Sequence, residues 1–82
     1  MEPNARPDEF YQDGKDKWNI HYSINTDTRI NPGDYKEIKE IRKNGQLVGS
    51  TVWHKDKDGK DKTSAYETGL QQIPGTAKKV KK

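Results

Sequence analysis

The clearest pattern in the chain is a strict alternation of apolar and polar residues between positions 18 and 25. Its apolar members are Trp18, Ile20, Tyr22 and Ile24, and its polar members are Asn19, His21, Ser23 and Asn25. Side chains two residues apart lie on the same face of a strand, and aromatic and β-branched residues favour strands. The pattern therefore predicts a half-buried β-strand.

A β-hairpin is the favoured interpretation of residues 34–54. Asn44-Gly45 is the strongest sequence signal for a two-residue type I′ turn. A regular hairpin around that turn would pair Arg42 with Leu47, Ile41 with Val48, and Ile38 with Thr51. In such a hairpin Ile38 and Ile41 share a face only if one strand carries a β-bulge.

A helix over residues 34–43 is the alternative for the first half of this segment. Asp34 and Glu37 have the spacing of a capping box, and Asn44-Gly45 is a suitable helix end. A helix this short, with apolar residues only at Tyr35, Ile38 and Ile41, is marginal by itself. The hairpin is preferred for this reason.

The polar run "HKDKDGKDK", residues 54–62, is interpreted as a hairpin turn at Asp58-Gly59 that returns the chain through residues 60–66. For residues 64–73 the sequence leaves two structures open. They continue as a strand, or Ser64 and Glu67 cap a short helix that ends before Pro74.

The two ends of the chain lack periodicity. Residues 1–14 contain two prolines and one glycine and are predicted to be flexible, and residues 74–82 ("PGTAKKVKK") are predicted to be a disordered basic tail. Residues 15–73 then form a single small domain. The predicted fold class is mainly β, a small antiparallel meander of three to four strands, with an α+β fold containing one short helix as the alternative.

The predicted core is thin. Leu, Ile, Val and Phe account for only 12 of 82 residues, which leaves a net stability of a few kcal/mol. Stabilisation by a partner or by a second copy, a homodimer, is therefore expected. The residues predicted to be buried are Trp18, Ile20, Tyr22, Ile24, Val48, Val52 and either Ile38 or Ile41, with Trp53 at least partly buried.

Composition excludes several kinds of chemistry. The chain has no cysteine, so disulfides, thiolate metal sites and cysteine nucleophiles are ruled out. The longest apolar run is two residues, which predicts no membrane span, and the start of the sequence does not have the form of a signal peptide. A cytoplasmic protein is the expectation.

The basic character of the chain is concentrated at one end. Lys78, Lys79, Lys81 and Lys82 contribute +4 to a net charge of +3. Residues 1–14 carry −3 and residues 15–77 carry +2. The pattern indicates a nearly neutral body with a cationic tail, which is poorly suited to binding in a nucleic-acid groove.

A calcium loop is the metal site that the run at 54–62 most resembles by spacing. With Asp56 at the first position, Asp58 and Glu67 fall at the third and twelfth positions of an EF-hand loop. Lys60 occupies the fifth position, and the sixth, which requires glycine, is Asp61. No metal site is predicted, and because phosphate-binding motifs are absent no cofactor is predicted either.

A metal-independent ribonuclease is the enzymatic alternative. Such an enzyme uses a base and an acid on either side of a phosphodiester, together with a cation. His21, His54, Lys62 and Tyr66 have the required chemistry, and their order resembles, in residue types only, that of some small toxin ribonucleases. No local motif accompanies these residues, so the chain is interpreted as non-enzymatic.

Nucleic-acid binding is the second alternative. A lysine tail suits phosphate contact, and aromatic residues interleaved with Lys and Arg suit base stacking. The aromatic residues available are Trp18, Tyr22, Tyr35, Trp53 and Tyr66. The residues selected for such a surface are Lys78, Lys79, Lys81, Lys82, Trp53 and Arg42.

A protein-binding module is the favoured function. A small, cysteine-free β-domain with exposed strand edges suits an inhibitor or adaptor, of a size common among phage and mobile-element proteins, and can bind a partner by strand addition. The expected partner is a protein.

Overall fold

The computed structural model describes residues 5–26, 33–69 and 71–80. These residues form no helix and six strands: β1 (Glu9–Asp13), β2 (Asp16–Asn25), β3 (Tyr35–Lys43), β4 (Gln46–Lys55), β5 (Tyr66–Thr68) and β6 (Lys78–Val80). All lie in one antiparallel sheet of order β5-β4-β3-β2-β1-β6. The predicted antiparallel β meander is confirmed, with six strands in place of three or four.

Both helical alternatives are wrong. Residues 35–43 form β3, which pairs with β2 on one side and β4 on the other. Residues 66–68 form β5, which pairs with the middle of β4. Two neighbouring strands satisfy the backbone of β3, whereas a short helix with three apolar positions has little to stabilise it. No helix that could cross a membrane occurs in the described parts of the chain.

The turn between β3 and β4 is the one that Asn44-Gly45 predicts. Both residues have positive φ, 52° and 84°, as a type I′ turn requires. The Asn44 backbone N–H also donates to the carbonyl of Lys17 at 2.7 Å, and its side-chain oxygen accepts from the Lys17 N–H at 2.9 Å. The turn is thus tied to the start of β2.

A β-bulge at Val48 decides which side chains of β4 share a face with each isoleucine of β3. Arg42 pairs with Leu47 as predicted, but the pairing then shifts by one residue, so that Ile41 lies opposite Gly49 and Ile38 opposite Val52. Val48 is the extra residue. Ile41 and Ile38 are three residues apart in β3 and lie on opposite faces of the sheet, and the regular register predicted for their partners in β4 is wrong beyond the bulge.

The core is as thin as the composition predicts. Its buried residues are Trp18, Ile20, Tyr22 and Ile41, with Tyr11, Val48 and Ile73 packed against them. Ile24 and Trp53 are half-buried. Val52 was expected in the core but lies on the opposite face, because the bulge places it there with Ile38.

The chain between the two edge strands, β5 and β6, crosses one face of the sheet, and the structure describes Gly69 and residues 71–77 of this crossover. Ile73 from this crossover packs on the core cluster. At Gly69 the chain passes so close to β4 that an added Cβ would lie 2.6 Å from the Val48 carbonyl oxygen and 2.7 Å from the Gly49 Cα. The crossover covers the side of the sheet that carries Trp18 and Ile20.

Two strands lie outside the predicted domain of residues 15–73, one toward each end of the chain. β1 lies within residues 1–14, where Phe10 and Tyr11 pair with Asn19 and Trp18 of β2. β6 lies within residues 74–82 and pairs with β1. Segments without periodicity form strands here because neighbouring strands supply their backbone hydrogen bonds. Lys81, Lys82 and residues 1–4 lie outside the described residues.

Candidate functional site

The register assigns the side chains of the sheet to two faces, since directly opposed residues of antiparallel strands share a face. The covered face carries Trp18, Ile20 and Ile41 beneath the crossover. The other face is called the open face. Its side chains, from β1 to β6, are Phe10, Gln12, Lys17, Asn19, His21, Ser23, Asn25, Lys36, Ile38, Glu40, Arg42, Leu47, Ser50, Val52, His54, Tyr66, Thr68, Lys78 and Val80.

The exposed large apolar side chains of the described residues all belong to the open face. Tyr66 is 65% exposed, Leu47 47% and Val80 41%. Ile38 and Val52 complete a cross-strand row with Tyr66 and are half-buried. An exposed apolar surface with a polar surround is typical of an interaction site.

The two faces differ in charge as well as in cover. The strand residues of the open face include four bases, Lys17, Lys36, Arg42 and Lys78, and one acid, Glu40. The strand residues of the covered face include four lysines and five acids: Lys39, Lys43, Lys55, Lys79, Glu9, Asp13, Asp16, Glu37 and Glu67. The strands thus give the open face a net charge of +3 and the covered face −1.

A groove lies at the rim of the open face, where β5 ends and the crossover begins. It has a volume of about 190 Å³ and is lined by Leu47, Val48, Gly49, Ser50, Thr68 and Gly69. Four glycine or alcohol-bearing residues and two aliphatic ones leave it wide and largely apolar. A volume of roughly 150 Å³ is enough to hold a benzene ring.

The edges of the sheet are less suited to binding than its face. Both edge strands, β5 and β6, have only three residues. The first half of β4 extends beyond β5, but Gly69 lies against the backbone of Val48 and Gly49 there. Short edges are a common defence against pairing with other strands. Strand addition along β4 is blocked by the crossover.

The two histidines lie on the open face but far from each other. His21 lies opposite Glu40, and His54 lies opposite Lys36, four residues along β3. Two strand spacings and four residues of rise put their Cα atoms roughly 16 Å apart. His21 Nδ1 also contacts the Asp8 carboxylate at 2.8 Å. The structure does not bring the two imidazoles together around one phosphodiester.

The other two residues of the ribonuclease alternative lie near His54. The Lys62 backbone N–H donates to the His54 carbonyl at 2.8 Å, and the Lys62 ammonium contacts the Asp34 carboxylate at 2.6 Å. Tyr66 lies opposite Val52, two residues from His54 on the same face. His54, Lys62 and Tyr66 share one corner of the sheet, and His21 does not.

The residues selected for nucleic-acid binding do not form one surface. Trp18 and Tyr22 are buried in the core, and Trp53 is half-buried on the covered face. Arg42 and Lys78 lie on the open face, whereas Lys79 lies on the covered face, 3.8 Å from the Glu9 carboxylate. Lys81 and Lys82 lie outside the described residues. Two of the five aromatic residues, Trp18 and Tyr22, thus serve the core.

The loop at residues 56–60 is held by its own first aspartate. One Asp56 carboxylate oxygen accepts the backbone N–H groups of Asp58 and Lys60 at 2.8 and 3.0 Å. These bonds, that to Lys60 foremost, lower the pKa of Asp56. Gly59 has φ +84°, so the predicted glycine turn is present, with three loop residues between Asp56 and Lys60 in place of two. Asp61 pairs with Lys55 at 2.9 Å.

Glu9 joins the N-terminal strand to the core through two tyrosines. Its carboxylate accepts the hydroxyl of Tyr11 at 2.8 Å and that of Tyr22 at 2.9 Å. The bonds from Tyr11 and Tyr22, aided by the charge of Lys79, lower the pKa of Glu9 below its ordinary value of 4.5. The bond to Glu9 raises the pKa of Tyr11, and burial, followed by that bond, raises the pKa of Tyr22.

Replacing Glu9 by glutamine is expected to lower the free energy of unfolding at pH 7 by about 1–2 kcal/mol, because charge-assisted hydrogen bonds become neutral ones. A carboxyl group whose pKa is lowered by folding stabilises the protein above its unfolded pKa and loses this effect as the pH falls through its folded pKa. Urea titrations should therefore show the difference from wild type shrinking below pH 4.5. Glu67→Gln, at an exposed position, is the control. A difference that persists unchanged at pH 2 would contradict the role of the Glu9 charge.

Sequence reasoning missed the open face, although one signal for it was available. The Asn44-Gly45 turn correctly pairs Leu47 with Arg42, which places an apolar and a basic side chain together. Phe10 and Val80 had no comparable signal, because their strands are defined only by pairing with each other and with β2.

Comparison with known proteins does not assign a function to the open face or the groove. No protein-family model, curated protein or solved structure matches the chain. A functional interpretation therefore rests on the charge, exposure and shape of the two sheet faces.

Proposed function

We propose that this protein is a non-enzymatic protein-binding module that contacts its partner through the open face of the sheet. The observation that carries the proposal is that Leu47, Tyr66 and Val80, the exposed large apolar side chains of the described residues, all lie on this face. The opposite face is already covered by the crossover, through described residues such as Gly69, Gln71 and Ile73.

The composition of the open face supports a protein partner. Apolar rows alternate with polar ones, as in Ile38-Val52-Tyr66 beside Glu40-Ser50-Thr68. Such rows supply both the apolar contact area and the polar contacts that protein–protein interfaces combine. The thin core supports it further, since burial of this face against a partner would stabilise a marginal domain by mass action.

The proposal is tested by capture from a nuclease-treated lysate of the cells that make the protein. Wild type is expected to retain a protein in stoichiometric amount, and Leu47→Glu and Tyr66→Glu are each expected to reduce its retention about tenfold or more, because an apolar anchor of an interface contributes about 2 kcal/mol or more. Both residues are exposed, so the variants should melt close to wild type.

Thr63→Glu and Gln72→Glu are charge-matched controls at exposed positions outside the open face, and they should retain the partner as wild type does. Retention that survives both open-face substitutions would overturn the proposal. So would capture that disappears when nuclease is added, since the partner would then be a nucleic acid.

A further inference from the structure

We infer that the partner of the open face is an acidic protein segment that places one bulky apolar side chain in the groove between β4 and the start of the crossover. This inference rests on the proposed function and specifies the chemistry of the partner. The groove residues are those that line its 190 Å³ volume: Leu47, Val48, Gly49, Ser50, Thr68 and Gly69.

Charge complementarity identifies the partner as acidic. The strand residues of the open face carry four bases against one acid, and Glu40, the acid, lies 3.7 Å from Arg42. Lys36 and Arg42 lie two strands from Tyr66 and Thr68, on either side of Ile38 and Glu40. Carboxylates of a bound segment would meet these two bases while its apolar side chains cover Ile38 and Val52.

The same charge argues against a second copy of this chain as the occupant. Two open faces brought together would oppose +3 with +3. Juxtaposed like charges cost several kcal/mol at an interface. A face with balanced acids, such as the covered face, would have suited a self-association better.

The groove is suited to a side chain rather than to a strand. Gly69 occupies the position beside Val48 and Gly49 that a pairing strand would need. The space that remains is lined by Leu47 and Thr68, among others, and exceeds the roughly 150 Å³ that holds a benzene ring. A bulky side chain held in such a pocket is the usual anchor of an interface.

The inference is tested with synthetic peptides of about nine residues, followed by NMR titration of the full chain at ~50 mM salt, where charge contacts are little screened. The first peptide contains glutamate and serine with a central tryptophan. In the second, alanine replaces the tryptophan, and in the third, lysines replace the glutamates. The first should bind and shift the amide signals of Gly49, Ser50, Thr68 and Gly69, and the other two should bind at least tenfold more weakly.

Two pairs of variants separate the contributions of shape and charge. Thr68→Trp fills the groove and should weaken binding of the first peptide at least tenfold, whereas Thr63→Trp, the same change in an exposed loop, should leave it within twofold of wild type. Lys36→Glu should weaken binding by a similar factor, and Lys57→Glu, in the exposed 57–60 loop, should change it little.

Three results would overturn this inference while leaving the proposed function in place. They are equal binding of the tryptophan and alanine peptides, equal binding of the acidic and basic peptides, and a dimer in sedimentation experiments that Tyr66→Glu dissociates. The proposed function fails separately, when Leu47→Glu and Tyr66→Glu leave capture of the protein partner unchanged. Amide shifts confined to the covered face would overturn both.

Discussion

Replacing Gly69 by alanine is expected to lower the free energy of unfolding by about 2–5 kcal/mol, enough to unfold much of a domain this small. Two effects combine at this position. Gly69 has φ +77°, which costs an L-residue about 1 kcal/mol or more, and an alanine Cβ would lie 2.6 Å from the Val48 carbonyl oxygen. The atoms nearest to this Cβ all belong to the backbone of Val48 and Gly49, so no flexible side chain can move to relieve the contact.

Gly14→Ala is the matched control for this change. Gly14 also has positive φ, +59°, but nothing lies within 4 Å of the position its Cβ would take. It should therefore lose only about 1 kcal/mol, the cost of the backbone conformation alone. Thermal melts of the two variants measure the difference. If both melt at the same temperature, the close passage of the crossover over β4 is not present in solution.

Replacing Ile41 by alanine is expected to cost about 2–5 kcal/mol, because a buried isoleucine loses its contacts and leaves a cavity. Ile41 is 7% exposed and belongs to the cluster formed by Trp18, Ile20 and Tyr22. Ile38→Ala, three residues earlier in the same strand, removes the same atoms from the half-buried open face and should cost about 1 kcal/mol.

The pair of isoleucine variants tests the register between β2 and β3, in which Ile41 lies opposite Ile20. Urea titration of both proteins is the measurement, and the ranking of the two midpoints matters more than either value. If Ile38→Ala proves the more damaging, β3 is shifted by one residue against β2, and the open and covered faces exchange their β3 side chains.

The two faces of the sheet give different support to the three functional hypotheses. The ribonuclease hypothesis was based on residue types, which do not specify how far apart the residues lie. The register separates His21 from His54 by two strands and four residues. The nucleic-acid hypothesis counted aromatic side chains that a thin core needs for itself, such as Trp18 and Tyr22. Protein binding makes no demand on particular catalytic pairs, and the exposed apolar residues support it.

The sequence by itself determined the local structure. The alternation from Trp18 to Ile24 predicted β2, and Asn44-Gly45 predicted the type I′ turn, because both signals depend on residues close together in the chain. The mainly β class followed from the same patterns, as did the thin core.

Only the tertiary structure decided which side of the sheet is covered and which is open. The pairing of β6 with β1 and the passage of the crossover over Gly49 join segments that are distant in sequence. The bulge at Val48 shifts the pairing of β4 by a single residue. A shift of one residue moves a side chain to the other face, and the pattern of Ile38, Ile41, Val48 and Val52 fits more than one register. Packing against Trp18 and Ile20 selects among those registers, and that selection leaves Leu47 and Tyr66 exposed on the open face.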